Sequence, residues 1–302
     1  MGGVTTVKVV GDDDSLRLDR WFSRYYPSVT HSRLQKLLRT GQVRVDGHRA
    51  KANMRLLAGQ IVRVPPVGGP APTQGKAPPV DAATRDDLRA RVLYRDNNML
   101  ALNKPAGLAV QGGSGQRRHL DALSEALRFD AEEPPRLVHR LDKETSGVLL
   151  LARHRHAARD LTRLFRDGEV AKTYWAVVAG VPRSAAGEID RPLTKGTERV
   201  EEDATGRPAV THYRTVSATE GRAWLVLSPL TGRTHQLRVH CALIGAPILG
   251  DRKYGGPRHK QLHLHARELV LSRDSGNLRL TAPLPAHMVK TFAALGFDEA
   301  AA

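Results

Sequence analysis

The chain has 302 residues, and its 47 Lys and Arg exceed its 31 Asp and Glu, for a net charge of +16 and a pI of about 10.5. That length holds one large domain plus a small one, and the charge points to a polyanion, nucleic acid or an anionic membrane surface. No apolar run reaches membrane-spanning length, no apolar signal segment precedes Asp12-Asp13-Asp14, and the lone Cys241 excludes an internal disulfide and a Cys-rich zinc site, so a soluble, cytoplasmic protein is expected.

Residues 1–14 read as a tail. Leu18, Trp21, Phe22 and Tyr25 then fall on one face of a short helix that Pro27 ends. Ser32-x-x-Gln35 has the form of a capping box opening a second helix, with Leu34, Leu37 and Leu38 on one face and Gly41 at its end. Val43 and Val45 alternate with polar residues, Asp46-Gly47 signals a hairpin, and Ile61–Val64 closes the module. Eleven Lys or Arg face only Asp19 and Asp46 between Ser15 and Val64. Arg33, Lys36 and Arg39, at helical spacing, are candidates for phosphate contact rather than a merely solvated face. Ser32–Leu37 followed by Gly41-x-Val43-x-Val45-x-Gly47 is similar to an S4 RNA-binding domain, with Asp46 where that family commonly has Asn; residues 15–65 are assigned to it. The Pro- and Gly-rich stretch 66–90 reads as a linker.

In the remainder, Val92–Tyr94 and Met99–Asn103 flank Asp96-Asn97-Asn98 as a hairpin leading into the turn Asn103–Gly107. Gln111–Gly115 lacks the Gly-Lys-Ser/Thr of a phosphate loop and reads as a mobile loop. Leu137-Val138 and Val148–Leu151 read as buried strands around a polar stretch centred on Asp142. With Arg140 and Lys143 beside it, that carboxylate can stay ionised and act as nucleophile or base; the bland alternative is a basic surface turn. A helix is predicted over His154–Arg166, and strands over Lys172–Gly180, Val210–Val216 and Ala223–Leu230. Another helix is predicted from about Thr234, as its cap, to Gly245, where its N-terminal N–H groups with Arg233 would make an anion site. Pro247–Gly255 is expected to shape the cleft rim. Leu262–Ala266 puts His263 and His265 on one strand face near His259, but without the ligand spacing of a metal site, so no metal is assigned. Leu269–Ser272 and Leu278–Thr281 read as closing strands, Pro285–Leu295 as a final helix, and 297–302 as a tail.

His139-Arg140-Leu141-Asp142-x-x-Thr145-Ser146-Gly147 resembles, without mismatch, the signature of the RluA-type pseudouridine synthases. The turn Asn103–Gly107, the strand Lys172-x-Tyr174…Gly180 and the run Thr231–His240 are similar to further motifs of that family. The resemblance spans most of 91–285, and residues 91–296 are assigned to the catalytic domain. It implies an α+β fold with a mixed, largely antiparallel central sheet, flanking helices and a catalytic cleft, beside a small α/β S4 domain. It also implies isomerisation of uridine in RNA without a cofactor, with Asp142 essential, Tyr174 against the base and able to handle a proton, and Arg233 paired with Asp142. His139, Arg140, Thr145, Lys172, His235 and Arg238 are expected at the substrate, although His235 and Arg238 are equally open to a structural or phosphate-gripping role. Large-subunit (23S-type) ribosomal RNA is the expected partner and a monomer the default. The alternatives are a tRNA-directed synthase or a non-catalytic S4-type RNA binder. An RNA methyltransferase would need a nucleoside-cradling glycine loop that the sequence lacks in that context.

Overall fold

The structure, a computed structural model, describes residues 3–14, 16–67, 80–112, 118–273 and 276–302. Gly113–Gly115 of the expected mobile loop and residues 68–79 of the expected linker lie outside these. Contacts divide the chain into two units, up to Pro78 and from Pro79 on.

In the first unit the segment read as a tail is structured. β1 (Thr5–Lys8) pairs antiparallel with a later strand, and Asp13 is buried where it accepts from Arg24 Nη1 at 2.8 Å and Tyr25 Oη at 2.7 Å. Strand pairing supplies the order here, since Thr5–Lys8 is too short and exposed to show a period of its own. α1 (Leu18–Tyr25) buries Leu18, Trp21 and Phe22. α2 (His31–Arg39) buries Leu34, Leu37 and Leu38 and leaves Arg33, Lys36 and Arg39 in solvent. The cap of α2 is Thr30, whose Oγ1 accepts from the Arg33 N–H at 3.3 Å, while Gln35 bonds His31. The helix thus starts before Ser32, and the capping box is not formed. β2 (Arg44–Val45), β3 (His48–Arg49) and β4 (Ile61–Val64) complete a four-stranded sheet of order β1-β4-β2-β3. Asp46 and Gly47 both have positive φ, as the two-residue hairpin requires.

The second unit begins inside the stretch read as linker. Asp81 Oδ1 accepts from Thr84 N–H at 2.8 Å and caps α3 (Ala82–Ala90), which Leu88 anchors. A single buried leucine gives no periodicity to read, which is why the helix is invisible in sequence. There follow β5 (Val92–Arg95), β6 (Met99–Lys104), α4 (Leu120–Leu123), β7 (Arg136–Leu137), β8 (Ser146–Ala152), α5 (Arg155–Asp167) and β9 (Val170–Ala179). Next come β10 (Ala186–Asp190), a small hairpin of β11 (Leu193–Lys195) and β12 (Val200–Glu202), β13 (Val210–Thr219) and β14 (Arg222–Pro229). The chain closes with α6 (Gln236–Leu243), β15 (Leu264–Leu271), β16 (Leu278–Thr281) and α7 (Ala286–Leu295).

Ten of these strands form one mixed, largely antiparallel sheet, with the path β10-β13-β14-β9-β15-β8-β6-β5, β16 added on β15 and β7 on β8. The sheet carries helices, so the α+β class expected from sequence is the observed one. Its two halves meet where β8 and β15 run parallel for only two residue pairs, His265 with Ser146 and Ala266 with Gly147. Only glycine fits there: Gly147 has φ +111°, and a Cβ would lie 2.1 Å from the Ala266 carbonyl oxygen. At the other end of the chain the expected tail is docked, because Phe297 is buried against Trp224 and Phe292.

Candidate active site

The loop between β7 and β8 carries Asp142 at the sheet's parallel seam, and three contacts hold its backbone. Thr145, buried, donates its N–H to the Asp142 carbonyl at 3.1 Å. The Lys143 carbonyl accepts from Gly107 N–H at 2.8 Å and from Lys104 Nζ at 3.1 Å. Lys104 is fully buried, its remaining donors spent on the Pro105 and Leu108 carbonyls, both at 2.9 Å. Burial pulls its ammonium down to about 8, while Glu144 and Asp142 pull the other way. The Asn-Lys-Pro-x-Gly turn is thereby clasped to the loop that presents Asp142. One step into β8, Ser146 Oγ lies 2.8 Å from His265 Nδ1, and His265 Nε2 faces the Ala282 carbonyl at 3.3 Å. Since only an N–H can face that carbonyl, Nδ1 accepts from the serine hydroxyl.

Asp142 opens onto a cavity of about 470 Å³ that is also lined by Lys172, Tyr174, Arg233 and His235, with exposed Arg140 among its walls. Lys172 and Tyr174 are two residues apart on β9 and so share a face. Lys172 Nζ reaches the Thr231 carbonyl at 3.4 Å, and desolvation lowers its pKa. Burial first and the charge of Asp142 second push the Tyr174 phenol up, so it stays protonated at neutral pH. It can stack or donate a hydrogen bond, but it does not begin as a phenolate base. His139 is less available than expected at a substrate. Its Nε2 accepts the Leu150 N–H at 2.8 Å, its ring stacks on Phe165 at 4.1 Å, and burial holds it neutral with a pKa of about 3. Its nitrogen is spent bracing the loop on β8.

The far wall is α6, whose entry corrects three expectations. The cap position is His235, not Thr234, and His235 takes a left-handed conformation (φ 54°) rare for a side chain of that size. Gln236 performs the tethering: its Oε1 accepts from Arg233 N–H at 2.9 Å and from Thr231 Oγ1 at 2.8 Å. The Arg233 N–H is therefore occupied and not free for an anion. Arg233 does not pair with Asp142. Its Nε donates to the Pro208 carbonyl at 2.8 Å, turning the guanidinium toward the β12–β13 loop, and the two residues form no ion pair.

Arg238, next along the helix, is the buried cation behind the site. It makes a bidentate pair with buried Asp251, both contacts at 2.7 Å, and lies 5.1 Å from the Tyr254 ring centre. Burial works against its charge, but Asp251, with a smaller contribution from Asp142, holds its pKa above the ordinary arginine value. Asp251 and Tyr254 are thus interior supports and not the cleft rim that sequence suggested. Tyr254 accepts from the Val200 N–H at 3.2 Å and lies 2.8 Å from His235 Nδ1. With the tyrosine donating to Nδ1, the His235 Nε2–H faces Asp142 Oδ2 at 4.0 Å.

Sequence reasoning missed Lys104, Gln236 and Asp251. The available signal was a polar or charged residue inside an apolar or turn-forming run, and such a residue is buried only when its hydrogen bonds or charge are met. His263 and His265 have both ring nitrogens hydrogen-bonded, and no group of three or more candidate metal ligands gathers among the described residues. No helix among those residues is long and apolar enough to cross a membrane.

Residues 98–243 match the family described as RNA pseudouridylate synthase, and residues 16–62 match the S4 domain. Ribosomal large subunit pseudouridine synthase C of Vibrio parahaemolyticus is 34% identical, covering 96% of this chain and 97% of that protein. RNA pseudouridine synthase 4, mitochondrial, of Arabidopsis thaliana is 33% identical, covering 95% and 81%. The solved human RNA pseudouridylate synthase domain containing 4 protein superposes with a TM-score of 0.63 at 32% identity, over 71% of this chain and 96% of that one. An Asp-bearing loop at the parallel seam of a mixed sheet, a tyrosine beside it and an S4 module ahead of it therefore have one family behind them. The chain belongs to the RNA pseudouridylate synthases, enzymes of the isomerase class.

Proposed function

We propose that this enzyme converts uridine to pseudouridine in large-subunit ribosomal RNA, with Asp142 as the catalytic carboxylate. One observation carries the assignment of Asp142. Its negative charge acts in common on Lys104, buried beneath its loop, and on Tyr174, His235 and Arg238 of the cavity wall, so groups from three separate elements converge on it. The reaction breaks the C1′–N1 bond, turns the uracil, joins C1′ to C5, and releases the C5 hydrogen to solvent as N1 takes up a proton. It is redox-neutral and calls for no cofactor. Inside a duplex these atoms are inaccessible, so the nucleotide must leave the stack.

Asp142 serves either as nucleophile at C1′ or as base toward a sugar C–H, with His235 Nε2 at 4.0 Å from its Oδ2 and the buried Arg238 guanidinium behind it on α6. Tyr174 offers its ring to the uracil and its hydroxyl as a donor. Arg140, exposed at the cavity, suits the space a flipped base vacates, and Lys172 and Thr145 shape the pocket floor. Arg233 leaves this set, because its guanidinium is tied to Pro208 and not to Asp142. Arg33, Lys36 and Arg39 grip RNA phosphates. The target follows from the relatives named for the ribosomal large subunit, and it carries with it a cytoplasmic location; a monomer remains the default state.

Tritium release from RNA labelled at uridine C5 tests the reading. Wild type should release tritium from unmodified large-subunit ribosomal RNA. Asp142→Asn should lose at least about 10³-fold in turnover while binding RNA within about twofold of wild type. Release from tRNA alone would reassign the substrate, and undiminished release by Asp142→Asn would remove the carboxylate from the mechanism.

A further inference from the structure

Arg233, freed from the pairing expected of it, has a neighbour of the same sign. Arg207 stands one residue before Pro208, the residue whose carbonyl holds Arg233 Nε at 2.8 Å. Neither guanidinium forms an ion pair among the described residues, and Arg207 is exposed. Partial burial and the charge of Arg207 both pull Arg233 below the ordinary arginine value. Two adjacent cations without a carboxylate are unfavourable unless an anion joins them.

The backbone around the pair is fixed before any ligand arrives. Arg207 and Leu193 exchange both backbone hydrogen bonds, each 2.9 Å, and Gly206 is pressed so closely on Leu193 that a Cβ would lie 2.7 Å from its carbonyl carbon. The Val210 N–H donates to Thr231 Oγ1 at 3.0 Å, and the Leu230 N–H donates to the Val210 carbonyl at 3.0 Å. Gln236 holds the Arg233 N–H. The 207–210 and 230–233 segments are thus laced together at the wall of the Asp142 cavity, where Arg233 is a lining residue. Two arginines on wandering surface loops would show none of this lacing.

We propose that Arg207 and Arg233 form a two-guanidinium clamp for a single phosphodiester of the RNA strand, at a nucleotide adjoining the one held over Asp142. The proposal rests on the reading of the cavity as a uridine site. Planar guanidinium forks suit phosphate oxygens, and with their backbones already fixed only side-chain freedom is lost on binding.

The test measures binding of an unmodified large-subunit ribosomal RNA transcript across a salt series, together with tritium-release kinetics. Arg207→Gln should weaken binding about tenfold, flatten the log–log salt slope by about 0.7–0.9, and raise KM more than it lowers kcat. Arg233→Gln should do the same, and the double variant should be no more than about twofold weaker than the worse single one, because both arginines serve one phosphate. Arg207→Lys should keep the slope. Arg279→Gln, which removes an equal charge from an arginine already paired with Glu268, should leave the slope unchanged. An unaltered slope in Arg207→Gln, fully additive losses in the double variant, or a fall in kcat at constant KM would overturn the clamp. The isomerase reading fails separately: wild type would then bind RNA with the clamp's salt signature yet release no tritium.

Discussion

In the unit that ends at Pro78, Arg33, Lys36 and Arg39 stand in solvent on the outer face of α2, each without an ion pair among the described residues. In the unit that begins at Pro79, the two cations that support Asp142 from behind are inside: Lys104 is capped by three carbonyls and Arg238 is clamped by Asp251. Exposed cations attract a polyanion over a distance set by the ionic strength, and each is replaceable. Buried ones must have their partners, and they position what they touch to within a bond length. The first arrangement suits capture of RNA and the second suits chemistry on one base.

Acid should separate the two units most sharply. Burial above all keeps His139 and His263 at a pKa of about 3 and His265 at about 4, against an ordinary 6.5, so all three are neutral when folded. Once unfolded they bind protons below about 6.5, so the unfolded state gains protons as pH falls and stability is lost from there down toward the folded values. Each contributes about 1.4 kcal/mol per pH unit across the intervening range, or about 4 for the three together. All three lie in the second unit. Melting followed between pH 7 and 4 should therefore show that unit failing first, and a first unit that melts earlier would dissolve the contrast.

Next in size is Arg238→Met. Leaving Asp251 buried without its partner should cost about 3–5 kcal/mol, read by chemical denaturation. Pairing the change with Asp251→Leu should recover much of the loss in stability but not in turnover, since Asp142 would still lack the cation behind it. Recovery of both would reduce Arg238 to a packing element.

The smallest effect on stability belongs to the first unit. Arg33→Gln, Lys36→Gln and Arg39→Gln together should shift melting by less than about 0.5 kcal/mol per site, yet flatten the salt dependence of RNA binding by about 2–3 slope units. A large stability loss there would mean that these side chains are structural and that the contrast between the units is one of degree.

How much of this was legible beforehand follows from the range of the interactions. Leu18, Trp21 and Phe22 announce α1, and Val148–Leu151 announce β8, because periodicity and apolar runs are local properties of a chain. The Asp142 loop was legible for the same reason: its motif is contiguous and lies between two recognisable strands. β1, α3 and the docked Phe297 were not. Each depends on a distant partner, β4, the face that Leu88 meets, and Trp224, and none displays a period of its own.

The assignments of the two arginines in the Thr231–His240 run divide in the same way. Sequence alone determined that a basic protein with this Asp-centred motif, a tyrosine on a strand and an S4 module would meet RNA and place a carboxylate at its centre. It could not decide which arginine stands behind that carboxylate. That choice turned on the left-handed backbone of His235, on Gln236 tying down the Arg233 N–H, and on Asp251 thirteen residues beyond Arg238. Residue types declare which charges exist, but burial and partner geometry, set only when the chain closes on itself, determine which of them face the reaction and which face the RNA.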